Sequence, residues 1–200
     1  MTAAISPDVV VLGGPNGAGK TTAAPRLLRG SLRVDEFVNA DTLALGLSAF
    51  RPEDAAIEAG RVMLARLDYL ESQRRSFAFE ATLASHALAR RLERLRNHGY
   101  ACHIVYLWLP TVDLAIARVA ERVRAGGHDV PSETVSRRFD RGRRNFFTLY
   151  LPLATTWRLY NASPIAGPML IASGGEGKAA TIRDTKTWRV AAQGYHDEQS

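Results

Sequence analysis

The sequence predicts an α/β fold, a mainly parallel sheet with helices on both faces and an Arg-rich helical lid beside it. Three observations point there. Short apolar runs alternate along the chain with longer segments of helical period, which is the pattern of strand, crossover helix and parallel strand. The first run, Val9-Val10-Val11-Leu12, feeds directly into a glycine-rich turn that opens a helix. Between Arg118 and Arg144, eight arginines stand against four acids on two segments of helical spacing. A chain of 200 residues with 46% hydrophobic content can bury one sizeable core, so residues 1–200 are expected to form a single domain with the lid at about 118–150.

Strands are predicted at Val9 to Gly13, Glu36 to Asn39, Phe77 to Glu80 and Ala101 to Leu109, each a short apolar run. The first helix runs from Gly19 to about Arg29, with Pro25 as a kink. The second covers Pro52 to about Ser72, and the third Ser85 to Asn97 with Gly99 as its stop. In the third, Leu88, Leu92 and Leu95 share a buried stripe, which leaves Arg90, Arg91, Arg94 and Arg96 as a solvated face. A fourth helix begins after Pro110 with Thr111 as cap. Trp157 to Tyr160 and Pro168 to Ser173 read as two further strands, and Asp184 as the cap of a last helix ending before Gly194.

The 26 basic and 20 acidic residues give a net charge of +6, and all basic residues but Lys20, Lys178 and Lys186 are arginine. Arginine suits bidentate phosphate contacts, although a genome-wide codon preference explains the same excess. Cys102 lies in an apolar run and is expected to be a buried hydrophobe with no disulfide partner in the chain. No segment reaches the roughly 18 apolar residues of a membrane span, and no basic region precedes the first apolar stretch, so a soluble cytoplasmic protein is expected.

Gly14, Pro15, Asn16, Gly17, Ala18, Gly19, Lys20 and Thr21 complete the pattern G-x-x-x-x-G-K-[ST], with Thr22 following. With a strand before it and a helix after it, this loop would surround the phosphates of a nucleotide with backbone N–H groups and the positive end of the helix. Lys20 would reach the terminal phosphates and Thr21 would ligate Mg2+. The fold so implied is that of a P-loop NTPase. No Asn-Lys-x-Asp stretch that would read guanine is present, and ATP is taken as the nucleotide.

Ligands of such sheets sit beyond the C-terminal ends of the parallel strands. Two carboxylates stand there, Asp41 after Val38-Asn39-Ala40 and Glu80 at the end of Phe77-Ala78-Phe79. A phosphoryl acceptor hydroxyl needs a carboxylate to orient it and accept its proton, and Asp41 is the candidate base. The same residue type would equally cap a helix starting at Thr42. Glu80 is assigned to substrate, with a water-mediated Mg2+ role of the Walker B kind left open.

In the basic region, Arg118 and Arg122 share one helix face, with Ile116, Val119 and Val123 on the other. Gly126-Gly127-His128-Asp129-Val130-Pro131 breaks the helix. A new helix from about Ser132 sets Arg137, Arg141 and Arg144 on one side and Phe139, Phe146 and Tyr150 on another. Two helices joined by a glycine hinge and facing inward with arginine would form a lid over a triphosphate, while a solvated basic hairpin or a docking surface for an acidic partner is the plainer reading. His128 has no second His or Cys nearby in sequence and is not expected to hold a metal. Ala172-Ser173-Gly174-Gly175-Glu176 superficially resembles an ABC signature loop, but no apolar strand ending in acids follows, so a hairpin turn is expected there.

Taken together, Gly14 to Thr21, Val38-Asn39-Ala40-Asp41, Phe79-Glu80-Ala81-Thr82-Leu83, the Gly126 to Pro131 turn, Arg137-Arg138-Phe139, Asn145-Phe146, Leu149-Tyr150 and Asn161-Ala162-Ser163 resemble the zeta toxin family. Within it they are similar to the small kinase-like proteins labelled predicted ABC-type ATPases, over roughly residues 8 to 173. The resemblance implies a P-loop kinase using ATP and Mg2+ on a small-molecule acceptor, in the best-known members the 3'-hydroxyl of UDP-N-acetylglucosamine, with an antitoxin as protein partner. It implies that Lys20 holds the triphosphate, Asp41 is the base, and Glu80 with Thr82 contacts the acceptor. Arg118 and Arg122 would neutralise the transferred phosphoryl, with Arg138 and Arg141 also on the substrate side. The lid differs from that of the well-studied members in its Gly-Gly-His-Asp-Val-Pro turn and tight arginine pair. Two rival functions stay open: a kinase of a nucleotide or other metabolite, and a nucleotide-gated DNA- or protein-binding ATPase. Against DNA, the arginines cluster where a kinase lid would be, and no helix-turn-helix or zinc pattern occurs.

Overall fold

A computed structural model describes residues 6–31, 34, 36–49, 51, 54–127 and 129–195. The chain runs β1 (Asp8–Gly13), α1 (Lys20–Ser31), β2 (Phe37–Val38), α2 (Ala40–Leu47), α3 (Ala56–Ser72), β3 (Phe77–Ala81), α4 (His86–Asn97), β4 (Ala101–Trp108) and α5 (Val112–Arg124). Then come α6 (Ser132–Asn145), a π-helical turn (Phe146–Tyr150), a 3-10 turn (Leu151–Leu153), β5 (Thr156–Asn161), β6 (Met169–Gly175), β7 (Lys178–Ile182) and α7 (Thr185–Ala191). The seven strands form one sheet in the order β2-β3-β1-β4-β5-β6-β7. β1 to β5 are parallel, and β6 and β7 close the far edge as an antiparallel hairpin.

Both faces of the central strands are buried, so β1 reads as an unbroken apolar run rather than an alternating one. Val9, Val11, Phe77, Phe79, Ile104 and Tyr106 face α3, α4 and the π-helical turn, where Leu67, Leu70, Leu92, Leu95, Phe146 and Tyr150 complete that core layer. Val10, Leu12, Ala78, Val105 and Leu107 face α1 and α5 through Ala23, Ala24, Leu27, Leu28, Ala115 and Val119. Pairing brings Leu12 level with Glu80, and Val38 level with Phe79, so the strands bearing the two carboxylates end side by side.

Several expectations need correction. The predicted strand Glu36 to Asn39 pairs only at Phe37–Val38, because Asn39 leaves the sheet to cap α2. Arg91 is not on a solvated face: its side chain is only 11% exposed and pairs with Asp68 and Glu71 of α3, while Arg96 pairs with Glu176. Val123 is exposed rather than part of the apolar face of α5. The hairpin turn falls at Glu176 and Gly177, because Gly174 and Gly175, expected in the turn, continue β6, and β7 itself was not foreseen, since all five of its residues are exposed. His128 and the Pro52 start of the second helix lie outside the described residues. Cys102 is buried, and desolvation pushes its thiol up to about 11, as suits a packing residue. Among the described residues, no helix is long and apolar enough to cross a membrane.

Candidate functional site

The glycine-rich loop joins β1 to α1 at the C-terminal edge of the sheet. Gly17 has φ +80°, and a Cβ there would stand 2.6 Å from the Ala115 carbonyl oxygen, so any larger residue would push the loop off α5. The Lys20 ammonium is buried and donates to the carbonyl oxygens of Gly14 and Pro15, both at 3.0 Å. It lies 3.5 Å from Glu80 Oε1. The Thr21 hydroxyl donates to Glu80 Oε2 at 2.9 Å and accepts from Asn39 Nδ2 at 3.2 Å. Hard oxygen donors of this kind suit Mg2+. No group of three His, Cys, Asp or Glu among the described residues could hold a metal alone, so a cation beside Thr21 would need phosphate oxygens as further ligands.

Asp41 stands in the first turn of α2 and is not its cap. The cap is Asn39, whose Oδ1 accepts from the backbone amides of Asp41 at 2.7 Å and Thr42 at 3.2 Å. The Asp41 carboxylate, 46% exposed, faces Arg122 Nη1 at 3.7 Å. Arg118 also lines the phosphate side, but its two terminal nitrogens donate to the carbonyl oxygens of Ala162 and Ser163, each at 2.7 Å. α5 therefore presents two arginines with different employment. One steadies the loop after β5, and the other faces the candidate base.

α6 carries Arg137, Arg138 and Arg141, and its far end is built into the core. A Cβ on Gly142 would press into the Thr82 carbonyl oxygen inside contact distance, so glycine is required where α6 meets the loop after β3. Asn145 Nδ2 donates to the Leu83 carbonyl at 2.8 Å, the Tyr150 hydroxyl to that of Ser85 at 2.7 Å, and Phe146 stacks on Tyr106. Leu83 itself sits at φ +58°, an uncommon conformation for a residue with a side chain, over-determined here by those contacts. Burial pushes the Tyr106 and Tyr150 phenols up, so both stay neutral. The second helix of the expected lid is thus packed against the loop after β3 at its far end.

Two clefts meet here. One of about 250 Å³ is lined by Gly17, Gly19, Thr21, Thr22, Arg118 and Arg122. The other, of about 570 Å³, is lined by Asn39, Thr82, Ser85, Arg137, Arg138 and Arg141, with an apolar wall of Gly60, Met63, Leu64 and Leu88. Asn16, Lys20, Asp41 and Glu80 line both. Of the residues singled out in the sequence around this site, Asn16, Gly17, Gly19, Lys20, Thr21, Thr22, Asp41, Glu80, Thr82, Arg118, Arg122, Arg137, Arg138 and Arg141 line one cleft or the other, whereas Gly14, Pro15, Ala18 and Arg144 line neither. Two contributions were missed. Asn39 was visible only as a cap-type residue two positions before Asp41, and the wall of α3 carried no signal, since Met63 and Leu64 look like any amphipathic helix.

An uncharacterized protein of Haemophilus influenzae is 28% identical over 128 residues, covering 63% of this chain and 88% of its own. Among solved structures, the AvrRxo1-ORF1:-ORF2 complex with ATP superposes with a TM-score of 0.71 at 17% identity, over 92% of this chain. The present chain spans 63% of the length of that protein. The PezAT toxin-antitoxin structure of Streptococcus pneumoniae superposes with a TM-score of 0.63 at 17% identity, over all of this chain and 82% of its own. These likenesses agree with the sheet order and loop geometry in giving a P-loop NTPase fold. Residues 9–149, well over half of the 200, match the AAA domain family, and the chain belongs to it.

Proposed function

We propose that this protein is an ATP-dependent small-molecule kinase of zeta-toxin type, which transfers the terminal phosphoryl of ATP to an acceptor hydroxyl, with UDP-N-acetyl sugars as the first candidates. The observation that carries this reading is the meeting of the two clefts at Asn16, Lys20, Asp41 and Glu80. A triphosphate seated on the glycine-rich loop would end where an acceptor in the larger cleft begins. Asp41 would accept the hydroxyl proton as that oxygen bonds to phosphorus and the bond to the departing ADP breaks. Lys20 and Arg122 would neutralise the charge on the moving phosphoryl, and Arg118 would hold the loop after β5 against α5. Mg2+, held by Thr21 with Glu80 close by, would offset phosphate charge when bound. The orientation of Glu80 toward Thr21 and Lys20 favours this metal-side role over the acceptor contact.

The acceptor cleft has its own chemistry. Arg138 and Arg141 are exposed and, among the described residues, make no ion pair or hydrogen bond. Opposed to an apolar wall, they suit an acceptor that carries an anionic group and a flat or apolar body. The ATP and the two-protein assemblies named for AvrRxo1 and PezAT support ATP as the donor and an antitoxin as a partner. The test is Mg-ATP consumption against UDP-sugars, nucleosides and nucleotides, with products identified by mass spectrometry and Asp41→Ala as control. A phosphorylated acceptor absent from the control is the expected result. ATP hydrolysis indifferent to every acceptor, and surviving the Asp41 change, would overturn the kinase reading.

A further inference from the structure

We infer that Asn39 is a positioning residue that sets the Thr21 hydroxyl for a cation and, through the same amide group, fixes the turn that carries Asp41. The inference rests on the kinase reading only for its effect on turnover. Asn39 is 5% exposed and spends both ends of its amide. Nδ2 donates to Glu80 Oε2 at 2.7 Å and to Thr21 Oγ1 at 3.2 Å. Oδ1 accepts from the amides of Asp41 and Thr42. A helix cap needs only the second set of bonds, and Ser or Thr would supply them with a shorter side chain. The longer amide is required because it also reaches β3 and α1.

Counting lone pairs gives the consequence for Thr21. A threonine hydroxyl has one proton and two acceptor sites. Its proton goes to Glu80 Oε2, and one acceptor site receives Asn39 Nδ2. One lone pair remains, and its direction is set by the other two bonds. Without Asn39 the hydroxyl could rotate and present that lone pair elsewhere. The same substitution would free the first turn of α2 from Glu80, so the candidate base would lose its fixed offset from the phosphate side.

The experiment uses the full chain and measures ATP affinity by calorimetry with Mg2+ and with EDTA, for wild type, Asn39→Ser and Asn39→Thr. Both variants keep a capping oxygen and lack the reach to Glu80, so a folding failure of one leaves the other informative. The expected result is at least a tenfold loss of the Mg2+-dependent gain in ATP affinity. Metal-free affinity should stay at the wild-type value, the melting temperature should fall modestly with the lost bonds to Glu80 and Thr21, and any acceptor turnover should fall in kcat rather than in KM. A variant that keeps the whole Mg2+-dependent gain overturns the inference and leaves Asn39 a cap. A wild type with no such gain overturns it as well. If the gain depends on Asn39 but no acceptor is phosphorylated, the inference stands and the kinase reading falls.

Discussion

The two clefts that meet at Asp41 are built on opposite electrostatic terms. On the phosphate side Lys20, Thr21 and Glu80, with Asn39 reaching them from the wall of the larger cleft, form a closed set, each bonded to another member or to the loop backbone. On the acceptor side Arg138 and Arg141 stand exposed on an anchored helix, with no partner among the described residues. A closed network holds its geometry before a ligand arrives, which is what stabilising a moving charge requires. Exposed arginines with no such partner would attract an anion without first breaking an existing bond, which would serve selection of the proposed acceptor. The difference teaches that substitutions on the two sides should fail differently, the first in turnover and the second in acceptor affinity.

The strongest way to break that comparison is at the shared boundary. Asp41→Asn keeps the size of the side chain and its place in the first turn of α2 but removes the proton acceptor. Loss of a general base lowers kcat by roughly 10²–10⁴-fold. Acceptor KM and ATP affinity should stay close to wild type, as read by steady-state ADP release and calorimetry. A fall in acceptor affinity with kcat preserved would move Asp41 from the chemistry to the binding side, and the two clefts would no longer divide as described.

Next in size is the joint between α6 and the loop after β3. Gly142→Ala forces a methyl group into the Thr82 carbonyl, and overpacking of this kind costs about 1–3 kcal/mol. A lower melting temperature should accompany a raised acceptor KM, because Arg138 and Arg141 ride on the displaced helix while the glycine-rich loop does not. A variant that melts earlier but binds acceptor normally would show that the anchoring of α6 serves the fold alone.

These contacts mark where the sequence stops being readable. The glycine-rich loop, the strands that deliver it and the strand-end carboxylates follow local rules of apolar runs and turn residues, and each appeared close to its expected place. The pairing of Arg91 with α3 and the approach of Gly142 to Thr82 join residues far apart in the chain, so spacing carries no trace of them. Asn39 is an intermediate case. Its residue type suits a cap, although the sequence alone offers that role to Asp41, and its bonds to Thr21 and Glu80 exist only because β2 and β3 pair in one register. The bonds of Arg118 to the Ala162 and Ser163 carbonyls likewise depend on where β5 ends, and spacing alone carries no trace of them.

A smaller effect sharpens the acceptor side. Loss of a charge-assisted hydrogen bond to an anion costs roughly 1.5–3 kcal/mol, so Arg141→Ala should raise the KM of an anionic acceptor about tenfold or more. The KM of ATP should hold, and Arg141→Lys should recover only part of the loss because a lysine cannot offer a bidentate fork. Equal losses for charged and uncharged acceptors would remove the anion from the argument and leave Arg141 a packing residue.

The smallest effect concerns the scaffold behind the phosphate side. Glu36, just before β2, is bonded by Arg66 at 2.9 Å and Arg75 at 2.8 Å. The hydrogen bond from Arg66, followed by the charge of Arg75, holds its carboxyl below the ordinary value of 4.5. A carboxylate whose pKa is lower in the folded state binds its proton less readily there than in the unfolded chain. Its contribution is therefore complete above pH 4.5 and disappears as pH falls through the lower folded value. Because both partners are well exposed, each pair should contribute no more than about 1 kcal/mol. Wild type and Glu36→Gln should accordingly differ slightly in urea midpoint at pH 7 and converge in acid, while turnover at pH 7 stays the same. A marked loss of turnover in Glu36→Gln would mean that bracing of β2 reaches Asn39, and that the phosphate side is less self-contained than its bonds imply.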